Sequence, residues 1–292
     1  MRAGDDGAAS PVSAAGPPQG RPHERGEAKA RRARPRARVA ADAYLSGMSE
    51  VGKEAASSST PPDRTNAVHL ARMLQFGDSV FPIGGFAFSG GLESAIQKGV
   101  VRDSATLLGF TRTAVEQASR GDGIGLICAH RVALAGDVDE LMRIDARIYA
   151  RKLSGETRTM SVRMGKKFTE MGAQVTGSAA LLTWRERVEA GATPGCYPVA
   201  LAVNFAAQGL AARDAFVVHQ YGVAATILSA ALRLMRVSHV DTQQMLYALN
   251  GDVESAYQTA AAATLSDMAG FAPLTEILAA VHVKAHVRLF MN

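Results

Sequence analysis

Residues Gly77–Glu93 read GDSVFPIGGFAFSGGLE. Pro82 fixes its own φ and drives Phe81 out of the helical region, and the paired glycines at 84–85 and 90–91 open backbone angles that other residues resist. The stretch is therefore a loop. Four large apolar side chains, Phe81, Ile83, Phe86 and Phe88, sit between those glycines. A surface loop is normally polar, so this one packs against something. Either it plugs its own core, or it shapes a partner surface; the chemistry alone favours the plug. A phosphate-binding loop needs Lys and Ser or Thr after its last glycine, and Gly91 is followed by Leu92 and Glu93. The dinucleotide spacing G-x-G-x-x-G is absent, and a nucleophile elbow fails because Ala87 stands two residues before Ser89. The loop has no catalytic pattern.

The wider segment LQFGDSVFPIGGFAFSGGLESAIQ resembles the N-terminal signature of the UreF family of urease accessory proteins. That signature reads L-L-Q-x-x-D-S-x-F-P-x-G-x-F-x-H-S-x-G-L-E. Asp78, Ser79, Phe81, Pro82, Gly84, Phe86, Ser89, Gly91, Leu92 and Glu93 match it. Phe88 stands where many members carry His, so no role of that His transfers.

Flanking composition divides the chain. Residues 1–65 are rich in Ala, Gly, Pro, Ser and Arg and poor in large apolar side chains. Such a segment cannot bury enough surface to offset its ordering entropy and is expected to be a disordered extension. Translation from Met48 would leave most of it out, so residues 1–47 are expected to be dispensable. Arg21–Arg38 holds eight basic residues against Glu24 and Glu27, which raises nucleic-acid or membrane-surface binding as one reading. No aromatic residue interleaves with those arginines to stack on bases. Acidic residues count against a transit peptide, and a secretory signal's apolar core is missing. Residues 66–292 carry 21 basic and 19 acidic side chains, so the high pI reports the extension and not the rest. Cys128 and Cys196 are too few for a disulfide scaffold and fit a reducing, cytoplasmic setting. No apolar run reaches the roughly 18 residues of a membrane span; Tyr221–Met235 comes nearest and is bounded by Arg233 and Arg236.

From Asn66 onward the period is helical, and no stretch alternates with period two. Val68, Ala71, Met73 and Leu74 form a stripe ahead of the loop, and Leu92, Ala95 and Ile96 restart a helix after it. Asp103 and Ser104 are N-caps for a helix carrying Leu107, Leu108, Thr111, Ala114 and Val115, which Gly121 and Gly123 are expected to break. Ile124–Ala135 reads as a short buried helix. The next starts at Asp137 or Asp139, with Leu141, Ile144 and Ile148 on one face. Together with abundant alanine and few aromatics, this predicts an all-α helical bundle of about ten helices over residues 66–292.

Four later stretches extend the resemblance. Glu156, Arg158, Ser161 and Gly165 match E-x-R-x-x-S-x-x-x-G; Ser161 and Gly165 lie four apart and suit close helix approach. Tyr197, Pro198, Val199 and Gly209 match a Y-P-V motif before a small-residue helix. Cys196 replaces a frequent His there and, with no second thiolate nearby, reads as a buried thiol more readily than a soft-metal ligand. Ser229, Ala230, Arg233, Leu234 and Gln243 match S-A-x-x-R-L and the following Gln-containing helix. Arg233 either satisfies C-terminal carbonyls or faces a partner; the resemblance points to the GTP-binding partner. At the end, His282, Arg288, Leu289 and Phe290 match H-E-x-x-Y-S-R-L-F, with Val283 and His286 at the Glu and Tyr positions. Leu289 and Phe290 are large apolar residues for so terminal a place, so they either dock a partner or fold back onto the bundle.

What the resemblance implies is a scaffold and not an enzyme. Family members bind UreD (also called UreH) and the GTPase UreG, are usually homodimers, and help deliver nickel to apo-urease, with no tightly bound cofactor and no role for nucleic acid or membrane. The partner-binding residues it implies are Asp78, Ser79, Pro82, Gly84, Ser89, Glu93, Tyr197, Arg233, Gln243, His282, Arg288, Leu289 and Phe290. Two other classes stand beside it. His282 and His286 share a helix face and, with His219 or His239, would make a metal-dependent hydrolase, although no Glu stands between them as in a zincin. The Arg-rich arm would make a nucleic-acid-binding regulator.

Overall fold

A computed structural model describes residues 66–270, 272–282 (side chains to residue 280) and 289–290. The extension 1–65, its Arg21–Arg38 run, Met48 and the side chains of His282, His286 and Arg288 lie outside these residues. The order is α1 (Ala67–Gly77), a 3-10 turn (Gly85–Ala87), α2 (Leu92–Gln97), α3 (Ser104–Ala118), a π turn (Ser119–Gly123), α4 (Ile124–Ala135), α5 (Val138–Arg151), α6 (Gly155–Thr176), α7 (Ala179–Glu189), α8 (Tyr197–Ala207), α9 (Ala212–Leu234), α10 (His239–Asn250), α11 (Val253–Ala262), a 3-10 turn (Leu265–Asp267) and α12 (Pro273–His282). The fold is all-α, and no strand occurs among the described residues.

Polar caps set where the helices start. Asp103 accepts from the Thr106 N–H at 2.8 Å while Thr106 Oγ1 accepts from the Asp103 N–H at 3.0 Å, a reciprocal box that opens α3. Asp137, Ser154 and Ser178 cap α5, α6 and α7 by accepting a first-turn N–H, and Ser238 opens α10 with a second reciprocal box to Asp241.

The centre of the bundle is α8. Every residue from Pro198 to Ala206 is buried, so this helix is enclosed all round by α4, α6, α7 and α9. Leu201 and Phe205 are fully enclosed there, and burying such a side chain contributes about 1.5–3 kcal/mol before ordering costs. Close approach depends on Gly165: a Cβ there would run into the Gly195 carbonyl and lie 2.6 Å from Cys196 C and Tyr197 N. The small-residue face read from the sequence is thus a packing face.

Two apolar clusters divide the bundle, and α9 joins them. The first gathers Leu126, Ile144, Phe168, Trp184 and Leu201, with Phe216 of α9. The second gathers Leu92, Leu107, Phe110, Leu246 and Phe290, with Ile227 and Leu228 of α9. Helix α9 has 23 residues and a window of mean hydropathy 1.5, so it is long and apolar enough to cross a bilayer, unlike the shorter run read from the sequence. More than half of that window (56%) is buried inside this fold, which its role in both clusters explains.

Two local expectations fail. Gly121 and Gly123 do not break the chain direction; α3 passes through the π turn into α4. Gly123 is there for space, since a Cβ would stand 2.6 Å from the Phe216 ring. On α1 the buried residue is Phe76, while Val68 and Leu74 are exposed at 55% and 62%. Helix α1 packs on α9 and turns Phe76 toward Phe168 of α6, which leaves Val68 and Leu74 on the outer side.

Candidate functional site

The signature loop is held by its own polar atoms at the entrance. Asp78 ends α1, and its Oδ1 accepts from the Val80 N–H at 2.8 Å. The Phe81 N–H donates to the Asp78 carbonyl at 3.0 Å. Asp78, Ser79 and Pro82 are exposed. Phe81 turns inward and meets Phe76 and Phe168 edge-on or tilted, at 5.1 and 5.3 Å between centroids. Phe88, in the family's frequent His position, is buried, whereas Phe86 at the tip is 74% exposed. The plugging reading holds for Phe81 and Phe88, whereas Phe86 is presented outward.

At the loop exit, Gly91 takes φ +83° and lies directly under α12, with a would-be Cβ 3.4 Å from the Thr275 carbonyl. Ser89 and Glu93 are buried just beside it. The two Glu93 carboxylate oxygens accept the backbone N–H groups of Leu289 and Phe290, at 2.8 and 3.1 Å. Phe290 is buried in the second cluster and Leu289 is 61% exposed. Of the two sequence readings, Phe290 follows the folded-back one, while Leu289 remains outward.

Arg233, in the last turn of α9, completes this group. It donates to the Phe86 carbonyl at 3.0 Å, and its guanidinium lies 4.1 Å from the centroid of the Phe290 ring. It is exposed, so the contact is a surface cation–π contact and not a buried ion pair. The structure thus brings together Phe86, Glu93, Arg233, Leu289 and Phe290 from three distant parts of the sequence.

Beside this group a cleft of about 1030 Å³ opens between α1, α6, α9 and α10. Asp78, Ser79, Tyr197 and Gln243 line it, so those expected residues share one concavity. Gln243 is exposed, next to Val240 and Tyr247 on the outer face of α10. Tyr197 packs edge-on to Phe168 and stacks near His219, at 5.6 and 6.0 Å. Burial raises the Tyr197 phenol's pKa above its ordinary value.

The cleft also holds polar residues that the sequence did not signal. Lys152 Nζ donates to both oxygens of Asp122, at 2.9 and 2.7 Å, and His219 Nε2 lies 3.8 Å from the same carboxylate. Burial works against the lysine's charge, but Asp122 prevails and its pKa is raised. Burial lowers the His219 pKa to about 4 despite Asp122, with Lys152 adding to the effect, so the ring is neutral at pH 7. Asp122 sits between Gly121 and Gly123, which read as a helix break, and nothing in the sequence around Lys152 marks it out; neither gave a cue.

Cys196 is buried at the head of α8, and burial and the neighbouring Asp145 raise its pKa, so it is an inert thiol. The metal site considered above is built on His282 and His286, whose side chains lie outside the described residues; among the described residues no group of three or more His, Cys, Asp or Glu could hold an ion.

The UreF family model matches residues 101–250. The urease accessory proteins UreF of Yersinia enterocolitica serotype O:8 and Yersinia pseudotuberculosis serotype I are each 52% identical to this chain over 227 residues, covering 78% of it and 100% of theirs. The Yersinia pestis strain Pestoides F protein of the same name matches to the same extent.

Proposed function

The chain belongs to the UreF family of urease accessory proteins, and from that membership we propose that it is a non-catalytic scaffold that bridges UreD (UreH) and the GTPase UreG while nickel is delivered to apo-urease. It works in the cytoplasm as a homodimer, and nickel passes through the complex as cargo. The observation that carries this reading is that Arg233 links Phe86 to Phe290, with Phe86 and the Leu289 that precedes Phe290 both exposed. Those residues come from three stretches of the family resemblance, and two of them are large apolar side chains left outward. Exposed apolar groups around an arginine are the usual anchors of a protein interface.

Asp78, Ser79, Pro82 and Gly84 run from the loop entrance to its tip, and Tyr197 and Gln243 line the cleft with Asp78 and Ser79. These residues, with His282 and Arg288, form the partner face in this reading. Ser89 and Glu93 serve it from within, by fixing the loop exit and the tail. Two free cysteines, Cys128 and Cys196, accord with a reducing compartment.

The test is co-expression with a urease operon that lacks its own copy of this gene, scoring nickel content and urease activity. The chain should restore both. Arg233→Ala should fold and melt nearly as the parent does but fail to retain UreG. Restoration of full activity by an empty vector, or retention of UreG by Arg233→Ala at parental affinity, would refute the scheme.

A further inference from the structure

Arg233 and Glu93 both touch the end of the chain, and both touch the signature loop or its exit. The Phe86–Arg233 hydrogen bond spans 147 residues, and the Glu93–Phe290 bond spans 197. Arg233 works at the tip of the loop: one N–H holds the Phe86 carbonyl while the same planar group covers Phe290. Glu93 works at the exit, where α2 leaves Gly91, and clamps the Leu289 and Phe290 backbone.

We infer that the signature turn and the terminal Leu289–Phe290 segment are one coupled unit, with Arg233 as its joint, so that a partner gripping either part alters the other. The inference deepens the partner-face reading above and rests on it for its biological meaning. Its physical content concerns this chain alone. Arg233 keeps its pose only while both neighbours are present: the ring fixes the plane of the guanidinium, and the plane aims the N–H at the Phe86 carbonyl. Loss of the ring frees the side chain, and the turn then loses its outside tether. Its own bonds are short-range, Ala87 N–H to Gly84 and Phe88 N–H to Gly85 carbonyls at 3.2 and 3.1 Å, so beyond the anchor of buried Phe88 the Arg233 bond is its long-range hydrogen bond. Phe86 and Leu289, the outward apolar side chains, sit on opposite members of this pair. Coupling between two such sites is reciprocal by thermodynamic necessity. A partner that pulls the tail away should thus change the affinity of whatever binds Phe86, and the reverse.

Amide hydrogen exchange on the purified full chain tests this without any partner. Arg233→Met removes the fork and keeps an apolar stem. It should speed exchange at Ala87 and Phe88 and at Leu289 and Phe290 together, by about tenfold, equivalent to about 1.4 kcal/mol of lost protection. Phe290→Leu keeps apolar filling and removes the ring; it should speed the Ala87 and Phe88 amides too, although the change is in the tail. Amides of α8 serve as the control and should be unchanged. If they accelerate as well, Arg233→Lys replaces Arg233→Met and the same two segments are read. Turn amides within twofold of the parent in Phe290→Leu, or a response confined to one segment in the Arg233 variant, overturns the coupling. That failure would leave retention of UreG and UreD untouched, so it is distinguishable from failure of the scaffold reading.

Discussion

Asp145 on α5 and Cys196 at the head of α8 are joined by a hydrogen bond of 2.8 Å from the cysteine N–H to Oδ1, across 51 residues of chain. The other oxygen, Oδ2, accepts from the Thr193 hydroxyl and the Gly195 N–H, both at 2.6 Å. Asp145 is fully buried, and these three donors fix the Thr193–Cys196 turn from which α8 starts.

Asp145→Asn should therefore be strongly destabilising. The amide turns an NH2 group toward donors and weakens charge-assisted bonds to all three. A loss of about 2–3 kcal/mol is expected, which for a chain of this size lowers Tm by roughly 5–10 °C. Thermal melting of the variant checks it; a shift within a degree or two would mean that the turn is held by packing alone.

Gly165 and Ser161 share one face of α6 and should respond oppositely. A Cβ at Gly165 meets backbone atoms of Gly195, Cys196 and Tyr197, which cannot rotate away, so Gly165→Ala should cost about 3 kcal/mol or more. Ser161 Oγ is buried with no hydrogen-bond partner among the described residues. Ser161→Ala removes an unsatisfied hydroxyl and should be neutral or stabilising by up to about 1 kcal/mol. Urea unfolding of the two variants separates packing from any chemical role for this face.

How much of this was legible follows from which force sets each feature. Asp103 and Asp137 mark helix starts by local chemistry, and the helices start there. The inward face of α5 was readable from the spacing of Leu141, Ile144 and Ile148, all buried. Gly123 was misread because its glycine answers to Phe216, far along the chain. Asp122 and Lys152 escaped because an ion pair between two elements has no local spacing. The site was legible only by resemblance: nothing in the residues around Phe86 says that Arg233 will meet its carbonyl. Nor did the tail's composition say which of Leu289 and Phe290 would turn inward; Phe290 is the one that joins the second cluster.

Acid should weaken the fold through His219. Its pKa is lowered from the ordinary 6.5 to about 4, first by burial, with Asp122 opposing and Lys152 reinforcing. The unfolded chain then binds the proton more readily than the folded one. Stability is complete above about pH 6.5 and is lost as pH falls toward 4, by about 3 kcal/mol in all. Denaturant unfolding at pH 7 and pH 5 should show the decline, and His219→Gln should flatten it. His130, buried and bonded to the Leu210 carbonyl at 2.8 Å, also has a lowered pKa and leaves a smaller residual slope. An identical pH slope in His219→Gln would show that other groups control acid unfolding.

The end of the chain has two jobs that two variants should separate. Phe290 is buried in the second cluster, and its N–H and that of Leu289 satisfy the buried carboxylate of Glu93. Deleting residues 288–292 removes that filling and strips both donors from Glu93. The cavity and the loss of two donors to a buried carboxylate should together cost about 3–5 kcal/mol, so the truncated chain should melt well below the parent. A binding defect in it would not identify a docking residue. Leu289 is different: it is 61% exposed, and only its backbone serves the clamp. Leu289→Ala should leave Tm within about 2 °C of the parent. If Leu289 is an anchor for UreD, losing its burial in the complex costs about 1.5–3 kcal/mol, and the affinity should fall roughly ten- to a hundredfold. Titration of UreD against the full chain and the Leu289→Ala variant measures this directly. Parental affinity in a stably folded Leu289→Ala chain would leave the tail a purely internal brace for Arg233 and the signature turn.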